Sequence, residues 1–332
     1  MGLGSALFFC VWAGCGSHRA KTGDVAYVAL PQVTLRDRVA AVYNKVSILK
    51  NGDRVEVLDH RKLFERVRTS EGVEGWVEKR SLVGKEVYDG FAQLAASNAG
   101  AVVQAKGIAR AELNMHVTPG RLTETLYQLK KNDSVDILRR ASAEKPPPKS
   151  LAVRDASFSP APPSKAAGPS LEDWWLVRDA QSHVGWVYGR LLDFDVPLEI
   201  ARYAENKRMV GFFVLNEVQT ATGKSVPQYL TLMTEPKEGL PYDYDQVRVF
   251  TWNTKRDRYE TAFLEHKLDG VFPARVGTET LDKKQGAHPI FVLRLKTPGG
   301  GVVDRKYKME GVLVRPVAAP GEMAAGKRVS KN

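Results

Sequence analysis

Few residues of this 332-residue chain could do chemistry, and their spacing argues against most of it. The two cysteines, Cys10 and Cys15, both stand at the extreme N-terminus, so the body of the chain can close no internal disulfide and offers no thiol nucleophile. The histidines, His18, His60, His116, His183, His266 and His288, fall in six separate segments, none with another His or Cys at metal-ligand spacing. Asp243 and Asp245 stand two residues apart in Pro241–Asp245; a calcium site or an acid/base pair is conceivable there, but a solvated turn ahead of a strand fits better. Gly299-Gly300-Gly301 lies between two strand-like runs, without the helix that a phosphate-binding loop requires. No catalytic residue, metal or cofactor is therefore assigned. Aromatic side chains are the remaining handle: Trp174, Trp175, Trp186 and Tyr188 gather in one short stretch.

The elements that must position those aromatics come from an internal repeat. Lys130–Leu138 falls on Lys50–Leu58 at a shift of 80, with Val135 on Val55 and Ile137 on Val57. The second half returns at a shift of 110, with Val177-Arg178 on Val67-Arg68 and Gly185-Trp186-Val187 on Gly75-Trp76-Val77. The difference between the registers is an insertion of 30 residues in the second copy. Val55 and Val57 alternate with Arg54 and Glu56 at the period of a half-buried strand. Asn51-Gly52 supplies a turn before it, and Ser70-Glu71-Gly72 separates Phe64–Thr69 from Val73–Val77 at hairpin spacing. Short strands and tight turns, with no room for a helix in Lys50–Val83, predict a small barrel in each copy.

The phrases Gly52–Leu58, Val67-Arg68, Gly75-Trp76-Val77 and Leu82 resemble the bacterial SH3 family, as do Asp133-Ser134-Val135, Trp174–Val177 and Gly185-Trp186-Val187 in the second copy. The family's opening strand and turn are recognisable in Leu113–Gly120 and degraded in Val33–Arg38. Such domains often accompany a cell-wall peptidase or amidase, which would need a Cys–His pair or a zinc constellation; the last domain offers neither. In this fold the Gly-Trp tryptophan is most simply core. Trp175 and Tyr188 stand where the first copy has Glu65 and Glu78, and so are expected on an outward face. An exposed aromatic pair is what sugar or peptide binding would use, though packing beneath the insertion explains it equally. Trp174, Trp175, Trp186 and Tyr188 are the candidate binding residues.

The fold class that follows is mainly β: two small SH3-like barrels, each followed by a short helix, and a C-terminal antiparallel β-sandwich or barrel. The expected boundaries are a leader and tether over 1–24, barrel one over 25–84, a linking helix over 85–104 and barrel two over 105–194. Within Glu86–Ser97, Val87, Phe91, Leu94 and Ala95 recur at helical spacing. After barrel two, Asp195 as N-cap and Pro197 in the first turn precede Leu198, Ile200, Ala201 and Ala204. The insertion 141–170, rich in proline, is expected as an extended surface loop. The C-terminal domain, 195–317, shows strands at Val210–Leu215 (apolar on both faces, which suits a central strand), Leu230–Met233, Gln246–Trp252, Tyr259–Leu264, Phe291–Lys296 and Val302–Met309. From 318 to 332 the composition predicts a disordered basic tail.

The net charge of +11 is spread through every segment and favours anionic polymers in general. Small residues before Cys15, as Trp12-Ala13-Gly14-Cys15, resemble a lipoprotein signal peptide, departing from it in Trp12 and in lacking a basic start. That resemblance implies lipidation at Cys15 and a periplasm-facing envelope lipoprotein; Gly16 after the cysteine favours the outer membrane. The expected function is a non-catalytic envelope lipoprotein. Its barrels would bind a cell-wall polymer or an envelope protein, with the membrane reached through the N-terminal lipid and no nucleic acid as partner. The alternative is a small-molecule carrier or enzyme, with a site in the C-terminal β-domain near Phe212, Leu232 or Phe250 and the barrels as targeting modules.

Overall fold

The computed structural model describes residues 23–147, 170–220, 222–282 and 286–318; the leader with Cys15, the insertion beyond Pro147 and the tail from 319 lie outside them. Residues up to Tyr88 form one compact unit and those from Asp89 onward a second. In the first unit, β1 (Val25–Val28), β2 (Gln32–Arg36), β3 (Lys45–Lys50), β4 (Arg54–Arg61), β5 (Phe64–Thr69), β6 (Glu74–Glu78) and β7 (Leu82–Gly84) form one antiparallel sheet. Its order is β3-β2-β6-β5-β4-β1-β7. Val28, Leu35, Leu49, Val55, Val67 and Val77, one from each of six strands, share a single core. Six strands of one sheet can meet at one core only if the sheet curls round it, which makes a small barrel.

The second unit begins with the last turns of α1 (Lys85–Ser97) and then repeats the sheet. Its strands are β8 (Ala105–Ala109), β9 (Leu113–His116), β10 (Thr125–Leu129), β11 (Ser134–Glu144), β12 (Leu171–Arg178), β13 (Val184–Tyr188) and β14 (Leu192–Phe194). The order, β10-β9-β13-β12-β11-β8-β14, matches the first barrel strand for strand. The turns repeat as well. Gly52 and Asn132 take the same left-handed conformation, at φ 82° and 71°. The carboxylates of Asp53 and Asp133 accept from the amides of Lys50 and Lys130, each at 2.7 Å. Asparagine tolerates that conformation best after glycine, which is how the turn survives the loss of Gly52.

Several expectations need correction. A single 3₁₀ turn, Lys79–Ser81, does interrupt Lys50–Val83, and Gly189–Leu191 repeats it. The insertion does not begin as a loop at 141, because β11 runs on and pairs Ala141 with Trp174 through to Glu144 with Leu171. The helix α1 follows barrel one in the chain, but from Asp89 onward it lies on barrel two. Phe91 is buried and meets Tyr127 edge-on at 5.2 Å. Leu94 and Ala95 pack on Leu138, Trp174, Leu176 and Trp186. The second helix, α2 (Leu198–Ala201), has Pro197 rather than Asp195 at its N-cap, with no side-chain cap. Its Ile200 is buried among Met209, Tyr229 and Phe250.

The module that follows is a seven-stranded meander in sequence order: β15 (Arg208–Gln219), β16 (Ser225–Thr234), β17 (Tyr244–Asn253), β18 (Arg258–Asp282), β19 (Gly286–Lys296), β20 (Val302–Glu310) and β21 (Leu313–Pro316). The strand expected over Tyr259–Leu264 is the start of the 25-residue β18. Its pairing with β19 shifts register between Val271 and Arg275, which breaks the alternation that would have revealed its length. β15, expected to be central, is an edge strand that lies back against β18 and β19. Its edge is not bare, since the amide of Phe212 donates to the carbonyl of Gln104 at 2.8 Å. The Gln104 side chain, fully buried, accepts from the amide of Ala274 at 2.9 Å and donates to the carbonyl of Val102 at the same distance.

Candidate functional site

The four aromatics of barrel two do not form an exposed patch. Pairing of β12 with β13 sets Trp174 opposite Tyr188 and Leu176 opposite Trp186, so those four share one face and Trp175 takes the other. Trp174 and Trp186 are 1% and 6% exposed beneath α1. The Trp174 ring stands edge-on to His116 at 5.0 Å, and its Nε1 has no hydrogen-bond partner among the described residues. Arg139 caps the Trp186 ring at 5.4 Å. Tyr188 is half-buried, with the Arg121 guanidinium 4.7 Å above it. Arg121 in turn makes two hydrogen bonds to Glu172, both at 2.7 Å. Burial, then the charges of Glu172 and Glu238, raise the Tyr188 hydroxyl above its ordinary value.

Trp175 corrects the outward placement argued from Glu65. It is 2% exposed, closed over by Phe194 at 5.2 Å and by Phe272 of the third sheet at 6.1 Å. The inference failed because Glu65 is itself buried, 2% exposed and 3.4 Å from His60. Burial pushes the Glu65 carboxyl up, and the charges of His60 and Lys79 pull it only part of the way back.

The face that barrel two covers is open in barrel one. Register places Arg61 opposite Phe64, Phe64 opposite Glu78, and Trp76 opposite both Arg66 and Arg36. The equivalent positions of barrel two are Ala141, Trp174, Tyr188, Trp186, Leu176 and His116. Three arginines have become alanine, leucine and histidine where a helix packs on the sheet. In barrel one Arg36 and Arg61 lie over rings and Arg66 pairs with Glu74 at 2.8 Å. The Arg36 guanidinium lies 4.2 Å from the Tyr43 ring centre and 5.4 Å from that of Phe64, and Arg61 lies 5.4 Å over Trp76. Leu63, at the tip of the β4–β5 hairpin, is 76% exposed. Two open cavities of about 550 and 600 Å³ flank the Leu63–Phe64 edge, one reaching Val39, Arg61 and Lys62 and the other Glu78, Lys79 and Arg80. Glu78 binds Arg36 at 3.5 Å and Arg80 at 2.7 Å. Stacked guanidinium and aromatic planes of this kind present flat apolar surface beside fixed N–H donors, which suits sugar rings, peptide planes and carboxylates. Sequence reasoning passed over Arg36, Tyr43, Arg61 and Leu63; Phe64 and Trp76 were visible as the copy-one partners of Trp174 and Trp186.

The Asp243–Asp245 stretch is not a solvated turn. Asp243 binds Arg140 at 3.0 Å and accepts from the amide of Phe272 at 2.8 Å, while Asp245 binds Lys207 at 2.8 Å. Each carboxylate thus has its own cation. Among the described residues no group of three His, Cys, Asp or Glu side chains is placed to hold a metal ion. Leu232 and Phe250 are fully buried, and Phe212 and Phe250 pack on Tyr229 and Tyr203. No helix among the described residues is long and apolar enough to cross a membrane.

No protein-family model matches the chain, and no curated protein matches it. Among solved structures it is similar to an NlpC/P60 family protein from Bacillus cereus, at 12% identity and a TM-score of 0.23, over 51% of this chain and 56% of that one. It thus spans little more than half the length of that protein. It is also similar to NlpC2 and NlpC1 from Trichomonas vaginalis, each at 11% identity and a TM-score of 0.18. Those similarities cover 86% of this chain and 93% of NlpC2, and 90% of this chain and 92% of NlpC1.

Proposed function

We propose that the protein is a non-catalytic binding protein of the bacterial cell envelope, holding cell-wall glycopeptide on the barrel-one face of Arg36, Tyr43, Phe64 and Trp76. One observation carries this reading. The barrels share strand order, register and turns, yet in one this face lies under a helix, while in the other Tyr43, Arg61 and Leu63 are exposed there beside Arg36 and Phe64. A guanidinium held between two rings is a pre-oriented fork for a carboxylate, and the rings beside it would take a sugar or peptide plane. The charge of +11 raises the local concentration of an acidic wall polymer. Lipidation at Cys15, facing the periplasm, would place the barrel beside that polymer; the residues that support it lie outside the described structure.

Co-sedimentation with purified peptidoglycan sacculi tests the reading. Leu63 is exposed enough for Leu63→Asp to leave the barrel folded. Burying a leucine side chain against a ligand contributes about 1.5–3 kcal/mol, so the substitution should weaken binding roughly tenfold or more. Tyr43→Ala should weaken it as well, by releasing Arg36. Sedimentation of Leu63→Asp indistinguishable from the unaltered protein would sink the proposal.

A further inference from the structure

A third cavity, of about 500 Å³, opens where barrel two meets the third sheet, and nothing in the proposed function uses it. Its apolar wall is built from Trp175 and Phe194, edge-on to one another at 5.2 Å, with Leu192, Ala204 and Met209 beside them. Three arginines stand around it, Arg110, Arg190 and Arg208. They are not equally engaged. Arg190 is held by Glu238 through two bonds of 3.0 and 2.7 Å, and Arg208 by Asp173 at 2.6 Å. Arg110 reaches Asp193 and the carbonyl of Arg190 only at 3.5 Å, beyond good hydrogen-bond length, with its side chain 58% exposed. The Nε of Arg208 is buried with no acceptor among the described residues.

Where barrel two has Trp175 and Gly189, barrel one has Glu65 and Lys79. A Cβ on Gly189 would come within 2.7 Å of the carbonyl of Asp173 and 3.2 Å of the Trp175 Nε1. Glycine therefore lets the chain close down on the tryptophan and leaves no side chain across its edge. A buried carboxylate and a lysine have been exchanged for an aromatic wall and a gap. Volume, aromatic lining and a few convergent donors are the features of a small-molecule pocket.

We infer that this cavity binds an amphipathic organic anion, with an aromatic or branched apolar body against Trp175 and Phe194 and its single acid group on Arg110. The acid would replace a long contact to Asp193 with a charge-assisted fork, and the body would lie along Phe194 and the edge of Trp175. This binding is independent of the barrel-one face.

Fluorescence titration of the full chain with 8-anilinonaphthalene-1-sulfonate and with N-phenyl-1-naphthylamine, similar bodies with and without the acid, tests it. The sulfonate should saturate one site and bind at least tenfold more tightly than the amine. Arg110→Glu, at an exposed position, should weaken the sulfonate at least tenfold and leave the amine within twofold. Ala204→Trp should exclude both probes by filling the cavity. Leu63→Asp should change neither, which separates this site from the barrel-one face. Equal affinity for the two probes, or an Arg110→Glu protein that binds the sulfonate within twofold of the unaltered one, would overturn the inference.

Discussion

Removing Arg140 should destabilise the second unit more than any other single truncation of a charged side chain. The guanidinium is 5% exposed and joins barrel two to the third sheet. It binds Asp173 at 2.7 Å and Asp243 at 3.0 Å, and donates to the carbonyls of Leu240 and Tyr242, each at 2.6 Å. Arg140→Ala would leave two carbonyls without that donor, Asp243 without a counter-charge, and the fully buried Asp173 with Arg208 as its remaining cation. Breaking a buried ion pair from one side costs about 3–5 kcal/mol. At a slope of about 2.5 kcal/mol per molar urea, about 4 kcal/mol lowers the unfolding midpoint by about 1.5 M. The transition can be followed by fluorescence of Trp174, Trp175, Trp186 and Trp252, all in the second unit. The pH dependence gives an independent check. Burial alone would push Asp173 up, but Arg140, the Gly239 amide and Arg208 outweigh it and hold the carboxyl below its usual 3.8. A depressed carboxylate contributes stability above its unfolded value and loses it as pH falls through the folded one. The gap between Arg140→Ala and the unaltered protein should therefore be wide at pH 7 and narrow below about pH 4. A midpoint shift under about 0.3 M, or one spread equally over both units, would refute the reasoning.

Three further outcomes are expected. Gly270→Ala should destabilise the second unit by about 1–3 kcal/mol or more in urea titration, because its Cβ would fall 2.1 Å from the ring of the fully buried Tyr244. Gly277→Ala on the same strand, with Ile290 no nearer than 4.0 Å, should lower stability by under about 0.5 kcal/mol or raise it. Glu65 has a folded value raised above the usual 4.5, so the first unit should lose stability as pH rises from there; Glu65→Gln should flatten its melting temperature between pH 4.5 and 7. In a bacterial host the protein should incorporate radioactive fatty acid, and Cys15→Ala should abolish the label; unlabelled cytoplasmic protein would end the envelope reading.

The strands of both barrels were legible because their signals are local. Alternation at Val55 and Val57, the turn at Gly52 and its echo at Asn132 each set a strand end or a face without help from distant chain. The third sheet was legible where turns were short, as at Asp257 and Gly300. It was obscured where β18 changes register, because a bulge erases the period of two on which the reading relies. Which module a helix covers is a different kind of fact. The apolar stripe of α1 states that something is covered, and only the partner surface says what.

That partner surface was nonetheless written in the repeat. Between the copies, Arg36, Arg61 and Arg66 become His116, Ala141 and Leu176, while the tryptophans Trp76 and Trp186 are retained. A sheet face that exchanges three guanidiniums for smaller or apolar groups, yet keeps its ring, has passed from solvent to a packed interface. Read in that direction, the loss of arginine in barrel two predicts that α1 lies on it, and their presence in barrel one predicts that its face stays open. The candidate aromatics were sought where rings are most numerous. Rings accumulate where they can be buried, so the richer cluster at Trp174 and Trp186 became core, and in barrel one Trp76 is buried as well, leaving Tyr43 and the half-buried Phe64 as the rings that face outward beside Arg36.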